Sequence, residues 1–190
     1  MPKSFMTYID DTIQHIDLQQ ALLAVSDERR AYALRYKHEL GQRQCVAAYL
    51  LLQRALRQEF GIEGDLHFTL GEHGKPTLAE HPGIHFNISH CREAVACVVS
   101  DQPVGIDIES TRRYHPMLLD YTMNDNERRQ VTTAPRPDEA FIRLWTMKEA
   151  VLKLTGEGIS RDLHTVLTDE RYRFATTIHP TYICTTATYL

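Results

Sequence analysis

The sequence predicts an α+β fold made of two similar halves, and three observations point to it. A helical pattern runs through residues 26–60, two β-branched runs stand at the midpoint (94–100 and 104–109), and a second helical pattern (138–154) is followed by more strand-like runs. Helix and strands thus appear on both sides of residue 102, giving an N-terminal α+β half, 1–101, and a C-terminal α+β half, 102–190. No residue-level repeat relates the halves. No low-complexity linker divides them, so close packing is expected.

The first helix takes Ser26 as its cap, Asp27 and Glu28 in its first turn, and Leu34, Val46, Tyr49, Leu50 and Leu56 at helical intervals. Gly41 is expected to divide it, and Gly61 and Gly64 to end it. Residues 66–70 read as a strand, and GEHGKPTLAEHPG as loop and turns. The runs AVACVVS and VGIDIE, separated by Asp101-Gln102-Pro103, read as a hairpin. Residues 111–135 read as mixed helix and loop. Phe141, Leu144, Trp145, Val151 and Leu152 give the second helix its apolar face, and Gly156 and Gly158 close it. Residues 172–177 and 182–188 have the composition of strands.

A chain of 190 residues, 43% of them hydrophobic, can bury a proper core. Its 21 Lys and Arg against 25 Asp and Glu leave a net charge of −4, which argues against a general nucleic-acid binder. A few phosphates still need only a local basic pocket. Cys45, Cys91, Cys97 and Cys184 show no CxxC or zinc-type spacing, and Cys45 and Cys97 read as small hydrophobes. The N-terminus, MPKSFMTYIDDT, has no apolar signal region, and no run approaches membrane-spanning length. The expectation is a reduced, soluble, cytoplasmic protein.

Four segments carry chemistry. In Gly105-Ile106-Asp107-Ile108-Glu109, strand alternation puts Asp107 and Glu109 on one face. Paired carboxylates repel unless a cation neutralises them, and Mg²⁺ suits oxygen ligands; a solvated strand edge is the plainer alternative. In Trp145-Thr146-Met147-Lys148-Glu149-Ala150-Val151-Leu152-Lys153, Glu149 and Lys153 share a helix face. They read either as a surface pair or as a third carboxylate with a phosphate-facing lysine. Phe86-Asn87-Ile88-Ser89-His90 offers donors to a phosphate or caps a turn. Gly74-Lys75-Pro76 places a lysine in a fixed loop.

In this order and spacing, the four segments resemble the 4'-phosphopantetheinyl transferase superfamily, in particular its longer, pseudo-dimeric branch that activates peptide synthetases. The resemblance is specific over residues 74–158. It implies two halves packed as a pseudo-dimer, the active site between them, and a monomer. It further implies transfer of phosphopantetheine from coenzyme A to a serine of an apo acyl or peptidyl carrier protein, releasing adenosine 3',5'-bisphosphate.

By the same resemblance, Asp107, Glu109 and Glu149 look like Mg²⁺ ligands; the sequence leaves open whether Mn²⁺ substitutes. Glu149 resembles the group that takes the serine proton. Lys153 would neutralise the departing phosphate, with Lys148 near the same phosphates. Lys75, Pro76, Ser89 and His90 resemble residues lining the nucleotide. Arg43, with Arg29 or Arg30 behind it, matches a contact to the 3'-phosphate. A further acidic residue is either Asp125 or Glu127. Carrier proteins are typically small and acidic, so residues 111–119, with Arg112 and Arg113 beside Met117, Leu118 and Leu119, form a candidate docking segment. Two other readings remain: a Mg²⁺-dependent phosphohydrolase or nuclease, and a non-catalytic coenzyme A- or carrier-binding module. No lysine stands two residues after Asp107 or Glu109, as the nuclease reading would prefer.

Overall fold

The computed structural model describes residues 5–71, 73–158 and 162–190; the first four residues of the N-terminal stretch and Glu72 of the following loop lie outside the described residues. Strand β1 (Met6–Asp10) leads through a 3-10 turn at Ile13–His15 to helices α1 (Leu18–Leu23), α2 (Asp27–Ala33) and α3 (Glu39–Phe60). A small hairpin of β2 (Phe68–Leu70) and β3 (Pro76–Leu78) precedes β4 (His85–His90) and β5 (Val95–Ser100). Then come β6 (Val104–Ser110), α4 (Pro116–Thr122), α5 (Asp125–Thr133), α6 (Pro137–Thr155), a 3-10 turn at Val166–Thr168, β7 (Tyr172–Ile178) and β8 (Tyr182–Tyr189).

One connection is used twice. A strand, a long helix and an antiparallel hairpin form a three-stranded sheet with the last strand in the centre: β1-β5-β4 with α3, then β6-β8-β7 with α6. Strand alternation divides the core accordingly. Val95, Cys97 and Val99 of β5 pack with Val46, Leu52 and Leu56 of α3, whereas Ala96 and Val98 pack with Ile106 and Ile108 of β6. The layers run helix, sheet, sheet, helix.

The hairpin expected from residues 94–109 does not form. β5 pairs on both sides, with β1 and β4, so it has no edge to offer β6, and Asp101-Gln102-Pro103 crosses between sheets. The competing partner, β1, lies far away in sequence. The helix expected over 26–60 breaks at residues 34–38, before Gly41. Ser26 caps only α2, where Arg29 N donates to its Oγ at 3.2 Å. Gly41 sits inside α3, where a Cβ would stand 2.9 Å from the Tyr36 ring. The glycine admits an aromatic ring against the helix instead of ending it.

As an edge strand, β6 needs partners for its outer backbone groups. Ile106 N donates to Asn87 Oδ1 at 2.9 Å, and Ile108 N donates to Ser89 Oγ at 3.3 Å. Side chains of β4 therefore stand where a neighbouring strand would.

Candidate active site

Gly105 sets the distance between β6 and α6. A Cβ there would lie 2.1 Å from Ala150 O and 2.4 Å from Leu154 N, so only glycine lets the helix backbone rest on the strand. Alternation then turns Asp107 and Glu109 towards the helix, and Ile106 and Ile108 towards the first half. On α6, Glu149 and Lys153 lie one turn apart.

Lys153 Nζ donates to Asp107 Oδ1 at 2.6 Å and to Ser89 Oγ at 2.8 Å, and Ser89 Oγ donates to Asp107 Oδ1 at 2.9 Å. Asp107 Oδ2 is buried and has no hydrogen-bond partner among the described residues. Burial and then the Asp107 charge push Glu109 and Glu149 above the usual carboxylate range, and the charges of Glu109 and Lys153 also act on Glu149. Three carboxylates thus share one field with one ammonium. Among the described residues, no three of His, Cys, Asp and Glu stand ready-made around a metal position. The oxygen donors nevertheless suit a hard cation, and the orphaned Asp107 Oδ2 is the atom such an ion would satisfy.

The other predicted residues have varied placements. His90 ends β4 beside the same ammonium; desolvation and then Lys153 lower its pKa. Lys75 reaches across from the β2–β3 hairpin, and its Nζ donates to Leu154 O at 2.9 Å and Val104 O at 3.4 Å. Pro76 opens β3 next to it. Arg43 is occupied by Glu39, Gln14 O and Ile16 O. Arg29 lies over the Tyr32 and Tyr49 rings and donates to Cys45 O, while Arg30 donates to Leu22 O and Asp27.

Lys148 is turned away from this group. Its side chain is fully buried, donating to Glu127 Oε2 at 2.7 Å and Leu163 O at 2.6 Å, and burial lowers its pKa. One helical residue is a rotation of about 100°, which separates it from Glu149. The two acidic candidates also part: Glu127 is buried on Lys148, whereas Asp125 is exposed and pairs with Arg128.

In the 111–119 segment, Arg112 and Arg113 are exposed, as are Met117 and Leu118, but Leu119 is buried in the core under α4. Tyr121, 68% exposed, shares the outer face of α4 with Met117 and Leu118. The sequence reading did not place it there, although its i,i+4 spacing from Met117 was the signal. Trp145 was likewise passed over as a site residue. Its Nε1 donates to Glu109 Oε1 at 3.3 Å, and its spacing of four from Glu149 puts both on one helix face. A cavity of about 570 Å³ lined by Thr111, Arg136, Pro137 and His179 lies at the other end of α6.

Comparison with known proteins gives one family. Residues 103–189 match the family described as the 4'-phosphopantetheinyl transferase superfamily. The 4'-phosphopantetheinyl transferase psf-1 of Bacillus pumilus is 32% identical over 158 residues, covering 82% of this chain and 68% of its own. The 4'-phosphopantetheinyl transferase Sfp of Bacillus subtilis is 27% identical over 164 residues, covering 85% and 73%. The gsp protein of Aneurinibacillus migulanus, also a 4'-phosphopantetheinyl transferase, is 32% identical over 138 residues, covering 71% and 57%.

Proposed function

Because this chain belongs to the 4'-phosphopantetheinyl transferase superfamily, we propose that it moves the phosphopantetheine arm of coenzyme A onto a serine of an apo acyl or peptidyl carrier protein. The observation that carries the reading is the grouping of Asp107, Glu109 and Glu149 about Lys153 at the seam of the two sheets. Such transfer needs positioning and charge neutralisation, and no covalent protein nucleophile.

In this reading Asp107, Glu109 and Glu149 hold Mg²⁺, or Mn²⁺ in its place, supported by the unpartnered Asp107 Oδ2. The bound ion supplies Lewis-acid neutralisation of the diphosphate. The Glu149 carboxylate takes the proton from the serine Oγ as that oxygen bonds to phosphorus. Lys153 steadies the negative charge on the bridging oxygen of the leaving adenosine 3',5'-bisphosphate. Ser89 and His90, beside Lys153, line the nucleotide together with Lys75 and Pro76, and Arg43 serves its 3'-phosphate by exchanging the Glu39 carboxylate for it. Lys148, engaged with Glu127, has no part in phosphate binding here.

The exposed face of Met117, Leu118 and Tyr121, with Arg112 and Arg113 beside it, receives the acidic carrier. Residues 1–101 and 102–190 act as two halves that enclose the site, and the enzyme works as a cytoplasmic monomer. Four free, buried cysteines are in keeping with a reduced compartment, and no helix among the described residues is long and apolar enough to cross a membrane.

The test is incubation with coenzyme A, Mg²⁺ and an apo carrier protein, followed by intact mass. The carrier should gain phosphopantetheine only when the divalent ion is present. A carrier mass that stays unchanged across representative acyl and peptidyl carriers would remove the reading.

A further inference from the structure

Glu127 and Lys148 form an ion pair shut away from solvent, with side chains 6% and 0% exposed. The same Glu127 Oε2 also accepts from Asn124 N at 2.9 Å, within the capping box of α5. Asn124 Nδ2 donates to His164 O at 3.0 Å, and the His164 ring nitrogen Nε2 lies 3.0 Å from Tyr121 O. Lys148 itself donates to Leu163 O. A continuous set of hydrogen bonds therefore runs from the end of α4, through the start of α5 and residues 163–164, to one point in the middle of α6.

Stability alone does not account for such a pair. Desolvating two charges offsets most of their attraction, and apolar replacements of similar volume are often neutral or stabilising. What the pair adds is direction. An apolar side chain at 148 would pack against α5 at several heights and rotations. An ammonium with acceptors on two separate elements fixes both, and the next residue along the helix is Glu149.

We propose that the Glu127–Lys148 pair is a positioning device for the transfer reaction, holding α6 in register so that Glu149 faces Asp107 and Glu109 while a carrier occupies α4. The inference rests on the transferase reading above. Neither residue touches substrate; both act through the placement of Glu149.

The test is the double variant Glu127→Gln/Lys148→Met, which removes both charges and keeps volume and the acceptor for Asn124 N. Its urea midpoint is expected at or above the wild-type value, with KM for coenzyme A and carrier within about twofold and kcat lowered about tenfold or more. A folded double variant whose kcat stays within about twofold of wild type overturns the positioning role alone. A raised KM for coenzyme A with unchanged kcat also overturns it, by making Lys148 a phosphate contact. Should the double variant not fold, Glu127→Asp, which keeps the charge and draws it back by one methylene, is expected to lower kcat about fivefold at unchanged KM. An unchanged kcat in that variant overturns the proposal. Wild-type enzyme in the same assay separates the two failures, since absence of wild-type transfer overturns the transferase reading and this inference with it.

Discussion

Lys153 Nζ lies 2.6 Å from Asp107 Oδ1, so the helix of the second half and its edge strand are joined by a charge pair at the seam with the first half. Ser89, from that first half, bonds to both partners. One hydroxyl, one carboxylate and one ammonium therefore fix three elements together. The unpaired Asp107 oxygen and the two neighbouring carboxylates are left for charge chemistry.

Lys153→Met keeps the length of the side chain and removes its charge. Transfer to a carrier is expected to fall about a hundredfold, with the loss in kcat more than in KM, if the lysine acts as proposed on charge that develops as the nucleotide departs. Steady-state kinetics by intact mass reads both constants, and an unchanged kcat would show that the Asp107 contact is purely structural.

Gly105→Ala puts a methyl group into backbone atoms of α6 that have nowhere to go. Overpacking a core costs about 1–3 kcal/mol where side chains can shift, and here the cost is expected at or above the upper figure. Urea unfolding measures it, and a midpoint equal to wild type would mean that α6 does not rest on β6 as described.

Tyr121→Ala combined with Met117→Glu takes the two most exposed apolar side chains, Met117 and Tyr121, from the outer face of α4 and sets a negative charge there. KM for an acidic carrier is expected to rise about tenfold or more while KM for coenzyme A stays within about twofold. Equal KM values for the carrier before and after would take the docking face away from α4.

All four cysteines are buried, and burial raises each thiol: Cys184 to about 12, with Cys45, Cys91 and Cys97 also raised. A raised pKa keeps the thiol protonated, so little thiolate forms between about pH 7 and about pH 9. Native protein should not react with a disulfide reagent across that range, and all four groups should react in denaturant. Rapid reaction of one cysteine in the native protein would contradict the burial of that site.

Local geometry made much of this readable in the sequence. Asp107 and Glu109 share a face because strands alternate, and Glu149 and Lys153 because helices repeat every 3.6 residues. The same rule gave Lys148 a direction away from Glu149 but could not name its partner, since Glu127 lies on another helix. Long-range pairing was illegible for a similar reason. Nothing in residues 94–109 announces that β1 has already taken the edge of β5, nor that Asn87 and Ser89 will occupy the bare edge of β6. Gly41 misled because a glycine that admits a ring from Tyr36 looks, in sequence, like one that ends a helix.

The most direct measurement of the account is the single-turnover rate of carrier modification by Glu149→Ala, with coenzyme A and Mg²⁺ saturating and folding verified by circular dichroism. A group that both holds the ion and receives the serine proton should cost about a hundredfold or more when it is removed. A folded Glu149→Ala protein that modifies the carrier at the wild-type rate would contradict the central claim.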